Sequence, residues 1–426
     1  MARDIYIPAA FRSFQGFVVR DLKEFRREQV MEIHLEHAEN HQPHCHRCGS
    51  RLGIYHGRHP MRLKHVRMMS WEVRICFYRN KHHCAECKKI RSEGIDFLCP
   101  VSPHLTKELS WWVNRLTEMS AVNQVSRLES IDKKTCYEVD KHILRNLLQG
   151  YKIPSIEALA VDEVYARSKV QLKPGENKDD LFFTVIIDAR TRRVIWVTSS
   201  RRKEALDEFF ELIGPAACKK IFVVATDQHE AYSQSVKQYC PGAKVVWDRF
   251  HLVQKFNEAL NLDRDDELRR LVEAKKISKD YLLRRHKYKF LTKAENRSPS
   301  AQKHIEKISK MNHKIAQMEI IKEHFHQLFE CPTYLEAKPM FDDCVRWAFE
   351  SKARCLLQWL KSIGRDVRFW NFFTHKLTNG VAEGINRVIK GLKWQAFGYR
   401  DMDYFILKIL QKVGYLNSQY CSHMFN

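Results

Sequence analysis

Three apolar runs in this chain stop at a carboxylate: Ala158 to Asp162 (Ala-Leu-Ala-Val-Asp), Ile221 to Asp227 (Ile-Phe-Val-Val-Ala-Thr-Asp) and Lys244 to Asp248 (Lys-Val-Val-Trp-Asp). Short continuous apolar runs suit strands buried on both faces, and open α/β sheets collect ligands at the carboxyl ends of such strands. A row of aspartates there points to a cation site holding something phosphorylated. A further acid, Glu383, sits near the start of a helix in which Ile385, Val388, Ile389 and Leu392 share one face, so it can reach back toward the strand ends. Asp162 is the expected bridging ligand of two Mg²⁺ (or Mn²⁺) ions, with Asp227 and Glu383 on either side, an arrangement suited to in-line attack at phosphorus. Each acid alone would pass for a loop cap; the trio carries the expectation. Glu163 is turned by strand alternation to the face opposite Asp162. In Asp248-Arg249-Phe250-His251 the histidine is placed to orient a scissile phosphate and Arg249 to contact one. The plain alternative there is a helix cap and a packed imidazole.

A second constellation is built from sulfur. Cys45-His46-Arg47-Cys48 and Cys84-Ala85-Glu86-Cys87 are two tight turns, each aiming two thiolates at one point, and together they would close a tetrahedral Zn²⁺ site. Trp71, Val73, Ile75 and Phe77 alternate with polar residues and read as the strand delivering the second knuckle. The spacer is longer than in most zinc ribbons, which leaves redox or unliganded dithiols as the alternative. The chain holds 13 cysteines, an odd number that fits a reducing compartment better than a disulfide framework.

Lysine and arginine number 73 against 51 acidic residues, a formal net charge of +22, and such an excess points to a polyanion as partner. Its most specific home is a helical stretch: His104 to Met119, Ala121 to Glu129, and Asp132 to Leu148 with Asp132 as N-cap. Lys133, Lys134, Thr135, Tyr137 and Lys141 fall in the early turns of the third helix, which gives helix-turn-helix syntax with a reader for the major groove. A structural three-helix bundle would look the same. No apolar run reaches membrane-spanning length and no signal-like segment opens the chain, so a cytosolic protein without a membrane partner is expected.

These groups need positioning, and a chain of 426 residues, 44% of them hydrophobic, has room for several domains. The expected organisation is α+β and multidomain. Residues 1–40 form an amino-terminal β segment, 41–100 a zinc ribbon, and 101–150 the helix-turn-helix. Residues 151–252 read β-β-β-α-β-α-β, the order of a ribonuclease-H-like core, whose first and fourth strands lie side by side. Residues 253–375 are an all-helical insertion, and 376–426 return to the core as its final helices.

The Asp162-Glu163 strand end, the Asp227 strand, Asp248-Arg249-Phe250-His251, Glu383-Gly384-Ile385-Asn386 with Lys390, and Gly398-Tyr399-Arg400 resemble the ISL-three family of bacterial insertion-sequence transposases. The amino-terminal ribbon and helix-turn-helix add to that resemblance, which spans nearly the whole chain. It departs in placing Gln228-His229 after the second acid and in a long polar loop, Lys169 to Asp180. The resemblance implies a DDE transposase whose acids are Asp162, Asp227 and Glu383, with Lys390 and Arg400 as DNA contacts. It further implies recognition of terminal inverted repeats in double-stranded DNA, metal-dependent strand cleavage and transfer to target DNA, a homodimer or higher synaptic complex, and a place at the bacterial nucleoid. A non-catalytic DNA-binding protein and a structure-specific nuclease on the same core are the rival readings.

Overall fold

The computed structural model describes residues 14–172, 174–377 and 380–416. Thr378 and Asn379 ahead of the Glu383 helix, Lys173 in the polar loop, and the two chain ends lie outside them. The chain forms two compact units. One holds the described residues up to Tyr151 together with Trp394–Lys412, and the other holds Lys152–Lys393 with Val413–Tyr415.

The first unit begins with β1 (Phe17–Phe25), β2 (Val30–His37), β3 (Tyr55–Met68), β4 (Trp71–Cys84) and β5 (Lys89–Ser92). They make one sheet in the order β1-β2-β4-β3, with β5 added to β4. Alternation sends Ile33, Leu35, Val73, Ile75 and Phe77 inward, where they meet Phe14, Phe17, Leu63 and Phe97. The segments expected as separate pieces, 1–40 and 41–100, therefore share a sheet, with β2 running parallel to β4. A lone hairpin of β1 and β2 could not bury its apolar face by itself. Three helices follow, α1 (Lys107–Met119), α2 (Val122–Glu129) and α3 (Lys133–Gln149). Thr106 caps α1 and Asp132 caps α3, each by accepting a backbone N–H of the first turn.

The second unit contains a mixed sheet of β6 (Ala158–Tyr165), β7 (Phe182–Asp188), β8 (Arg193–Thr198), β9 (Val223–Thr226) and β10 (Lys244–Trp247), ordered β10-β9-β6-β7-β8. Helices α4 (Lys203–Cys218) and α5 (Glu230–Tyr239) connect its later strands. Leu159, Val161, Ile186 and Val224 pack on Leu206, Phe209, Phe210, Tyr232 and Val236 from these helices. Helix α4 is broken near its end: Gly214 takes a left-handed φ of 76° ahead of Pro215, and one more turn reaches Cys218. Next come α6 (Arg249–Glu273), α7 (Arg284–Leu291), α8 (Pro299–Met311), α9 (His313–Leu328), α10 (Tyr334–Glu350), α11 (Arg354–Ile363) and α12 (Val367–His375). They share an aromatic-rich core in which Phe256 and Phe325 stack at 4.0 Å. On α12, the Asn371 amide donates to the Val245 carbonyl at 2.8 Å and ties the helical region to β10. The helix bearing Glu383 is α13 (Gly380–Gln395), which buries Ala382, Ile385, Ile389 and Leu392.

The last helix, α14 (Met402–Val413), corrects the expected boundary, since nearly all of it belongs to the first unit rather than with the sheet of the second. The cause is a buried polar knot. Asp140 on α3 is fully buried and accepts from Asn114 at 2.7 Å, Thr117 at 2.6 Å, Tyr404 at 2.6 Å and Lys408 at 3.1 Å. Lys408 also donates to the Thr117 carbonyl at 2.7 Å. Burial lowers the lysine pKa and the Asp140 charge opposes that shift. Lys408→Met would strand a buried carboxylate, and breaking such a pair costs about 3–5 kcal/mol. The variant should therefore melt several degrees below the parent by calorimetry; an unchanged transition would show that the pair contributes nothing.

Candidate active site

Strand register brings the first acids together. Ala160 on β6 pairs with Ala225 on β9, and Ala225 pairs with Val246 on β10, all three strands parallel. Two residues further along each chain stand Asp162, Asp227 and Asp248. Asp227 and Asp248 are the first residues past β9 and β10, whereas Asp162 is still inside β6. Contrary to expectation, β6 does not stop at Asp162. Its antiparallel partner β7 accompanies it to Tyr165, while its pairing with β9 ends at Ala160. Asp162 thus sits where the parallel neighbour leaves off and the backbone is still held in a ladder.

Helix α6 starts from this row. Asp248 is 3% exposed and caps the helix by accepting the His251 N–H at 3.3 Å, so its carboxylate is occupied structurally. One turn in, His251 places Nε2 3.9 Å from Asp162 Oδ1. Pairing with Asp162 raises the imidazole pKa above its ordinary value against the cost of burial, and Asp248 and Asp227 add to the pull. Asp227 turns the chain after β9, its Oδ1 accepting the His229 N–H at 2.9 Å.

Helix α13 reaches the same place through a residue to which no role was given from the sequence. Asn386 donates its amide to Asp162 Oδ2 at 2.8 Å and to the Glu163 carbonyl at 3.2 Å. Glu383 lies one turn earlier, at the i−3 spacing that shares a helix face with Asn386. Its carboxylate is half-exposed and paired with Arg387 at 2.6 Å. That spacing was the available signal for Asn386. Glu163, as expected, faces away from Asp162: it meets Tyr232 on α5 at 3.2 Å and Arg201 at 3.3 Å. Burial first, and the Asp227 charge second, hold its carboxyl above the usual range, with Arg201 opposing.

Among the described residues, three groups of potential ligands have donor atoms within 4.8 Å of one another: Cys45–Cys48–Cys84–Cys87, Glu32–His34–Cys76 and His37–His41–Glu93. Asp162, Asp227 and Glu383 do not form such a group. Three carboxylates with no cation between them repel, and Glu383 finds its counter-charge in Arg387 instead. In the second group Glu32 pairs with Arg62 at 3.0 Å, and in the third buried Glu93 accepts His37 at 2.8 Å and His41 at 2.9 Å.

The four cysteines are arranged differently. Sγ of Cys45 lies 4.0 Å from that of Cys87, and Sγ of Cys48 lies 3.5 Å from that of Cys84. Four sulfurs at bonding distance from one tetrahedral Zn²⁺ would be about 3.8 Å apart. The Ser50 hydroxyl brings the Cys48 thiol down to about 6, whereas Cys48 itself, together with burial, pushes Cys87 up to about 11. Four thiolates cannot coexist there without a cation.

The basic residues divide. Lys133 and Lys134 are exposed at the start of α3, Lys134 only 3.9 Å from Glu138 along the helix, and Lys390 and Arg400 are exposed as well. Thr135 is half-buried and donates its N–H to the Asp132 cap at 3.0 Å. Tyr137 and Lys141 are not free: both donate to Asp401, which against the cost of burial they hold down at about 2. Arg249 is also spent, pairing with Glu330 at 2.9 Å over the Phe329 ring. Neither partner stands near its mate in sequence, so helical periodicity could not reveal them.

No helix of the described residues is long and apolar enough to cross a membrane. A transposase family model of the ISL-three DDE type matches residues 159–409. The transposase for insertion sequence element IS1001 of Bordetella parapertussis is 26% identical over 376 residues, covering 86% of this chain and 87% of that protein. The transposase for insertion sequence element IS1557 of Mycobacterium tuberculosis is 23% identical over 242 residues, covering 51% of this chain and 54% of that protein.

Proposed function

The chain belongs to the ISL-three family of DDE transposases, and from that premise we propose that it binds the terminal inverted repeats of its insertion sequence and cuts and rejoins DNA strands at the Asp162, Asp227 and Glu383 site. The observation carrying this reading is the hydrogen bond from Asn386 to Asp162, because it fixes Glu383 one helical turn from the strand row. Cβ atoms at that spacing are about 5–6 Å apart. A rotamer change that releases Arg387 therefore brings the third carboxylate toward the other two.

The donor set fits hard divalent cations: carboxylate oxygens at the end of a parallel row, with His251 Nε2 3.9 Å from Asp162 Oδ1 beside them. Asn386 Oδ1, Gln228 Oε1 and His229 Nδ1, on residues flanking the acids, are buried without a partner among the described residues. Asp162, Asp227 and Glu383 would hold the metals. When bound, a pair of Mg²⁺ or Mn²⁺ ions supplies activation of water or of a DNA 3′-hydroxyl and neutralises the leaving oxygen. Asn386 fixes the Asp162 rotamer, His251 is placed to meet a phosphate oxygen, and Asp248 sets the first turn that presents His251. The mixed sheet is read as a ribonuclease-H-like core and α6–α12 as its insertion. The four cysteines are read as a structural zinc site, and α1–α3 as a helix-turn-helix whose exposed Lys133 and Lys134 approach DNA. Holding two element ends requires at least a dimer.

The direct test is incubation with the DNA flanking the chain's own gene, with and without Mg²⁺. Cleavage at the element boundary only with metal supports the reading, and metal-dependent cutting of arbitrary duplexes contradicts it. Asn386→Ala should lower cleavage about 10- to 100-fold, the usual loss when the partner orienting a metal ligand is removed, with end binding by gel shift unchanged. Full activity in that variant would leave Asn386 without a positioning role.

A further inference from the structure

Among the described residues the two most exposed aromatic side chains in the molecule are three positions apart: Trp394, 81% exposed, and Phe397, 98% exposed. Trp394 lies in the last turn of α13, and its carbonyl accepts the Phe397 N–H at 3.0 Å. Neither ring meets another ring or a cation among the described residues. Phe397 adopts a left-handed φ of 54°, which a bulky side chain rarely does. The turn is pinned just beyond it, where Tyr399 stacks on Phe405 at 4.3 Å and Asp401 is held by Tyr137 and Lys141. A strained backbone that holds an apolar ring out in water is the pattern expected where a ligand compensates. Charge identifies that ligand. From Arg387 to Arg400 the chain carries Arg387, Lys390, Lys393 and Arg400 and no acid.

We infer that Trp394 and Phe397 form a stacking platform for unpaired DNA bases, with Arg400 meeting an adjoining phosphate. This rests on the reading of the chain as a DNA-processing transposase and adds to it a preference for single-stranded or splayed DNA. Aromatic faces stack on any base freed from its neighbours, whereas a duplex buries those faces. A second copy of the same chain would bring the same positive charge to the patch, and two rings fall far short of the area a stable protein interface buries.

The test uses the full chain and two 2-aminopurine-labelled oligonucleotides, one single-stranded and one fully paired. Trp394→Ala with Phe397→Ala should weaken single-strand binding at least about tenfold and abolish the stacking-induced quenching of 2-aminopurine, with duplex affinity changed less than twofold. Trp394→Phe with Phe397→Tyr should keep both signals. Phe397→Gly, which suits the left-handed φ, should not lower the melting temperature yet should lose single-strand affinity. Unchanged single-strand binding, an equal loss on both oligonucleotides, or loss of a wild-type dimer in the alanine variant would each overturn the inference. Cleavage of element ends by the wild-type chain is scored in the same samples. Its absence with stacking retained counts against the proposed function and not against the platform.

Discussion

Asp227→Ala should lower cleavage of element-end DNA at least about a thousandfold while leaving end binding and its salt dependence as they were. The lower bound follows from the loss on removing one preorganised group that stabilises developing charge, about 10²–10³; a metal-holding carboxylate should exceed it. Binding is spared because the exposed Lys133 and Lys134, the proposed DNA contacts, belong to the other compact unit. The fold is spared too, since the substitution removes one hydrogen bond, from the His229 N–H, worth about 1 kcal/mol. Asp227→Asn separates charge from shape, because its side-chain oxygen can still accept that N–H. If the asparagine variant cleaved at the parental rate, the negative charge would be dispensable and the metal assignment would fail. Strand cleavage on a denaturing gel beside a salt series of gel shifts reads both quantities.

Cys84→Ser should produce the largest structural loss, and a local one. The knuckles are covered only by a small cluster of Cys45, Leu52 and Cys84 with Cys87 beside it, far too little apolar surface to order them unaided. The sheet below has its own core of Phe14, Phe17, Ile33, Leu63, Val73, Ile75 and Phe97. Structural zinc contributes roughly 10–16 kcal/mol to folding in small zinc-dependent peptides, so its loss outweighs what the knuckles have in reserve. Hydrogen exchange should show residues 43–54 and 84–93 opening, in the serine variant or after chelation, while β1, β2 and the first half of β4 stay protected. Zinc analysis should fall from one ion per chain to none. Unchanged protection at the knuckles would mean that the four thiols are ordered without metal.

The strand row was legible because short apolar runs mark buried strands, although β6 runs on past Asp162 to Tyr165 with β7 beside it. The two Cys-x-x-Cys turns were legible for the same reason: local spacing determines local geometry. What sequence could not supply were partners far along the chain. An amphipathic pattern says that α14 buries a face but not that Asp140 lies beneath it, and a basic residue in an early helical turn reads as exposed until a distant Asp401 claims it. The row placed Asp248 among the acids, but its neighbour three residues on makes it a cap, which was the plain alternative. The Glu383–Arg387 pair was readable as an i, i+4 contact, and it explains why the third acid stands apart from the first two. The left-handed φ of Phe397 left no trace in sequence, since the residue type argues against it.

In the proposed reaction Asp162, Asp227 and Glu383 close on divalent metal. Manganese located by anomalous scattering in crystals of the chain with element-end DNA tests it most directly. Manganese should be held by Asp162 and Asp227, with Glu383 turned off Arg387 and onto the metal. Manganese bound elsewhere, or Glu383 still paired with Arg387 in a complex that cleaves its DNA in the crystal, would contradict it.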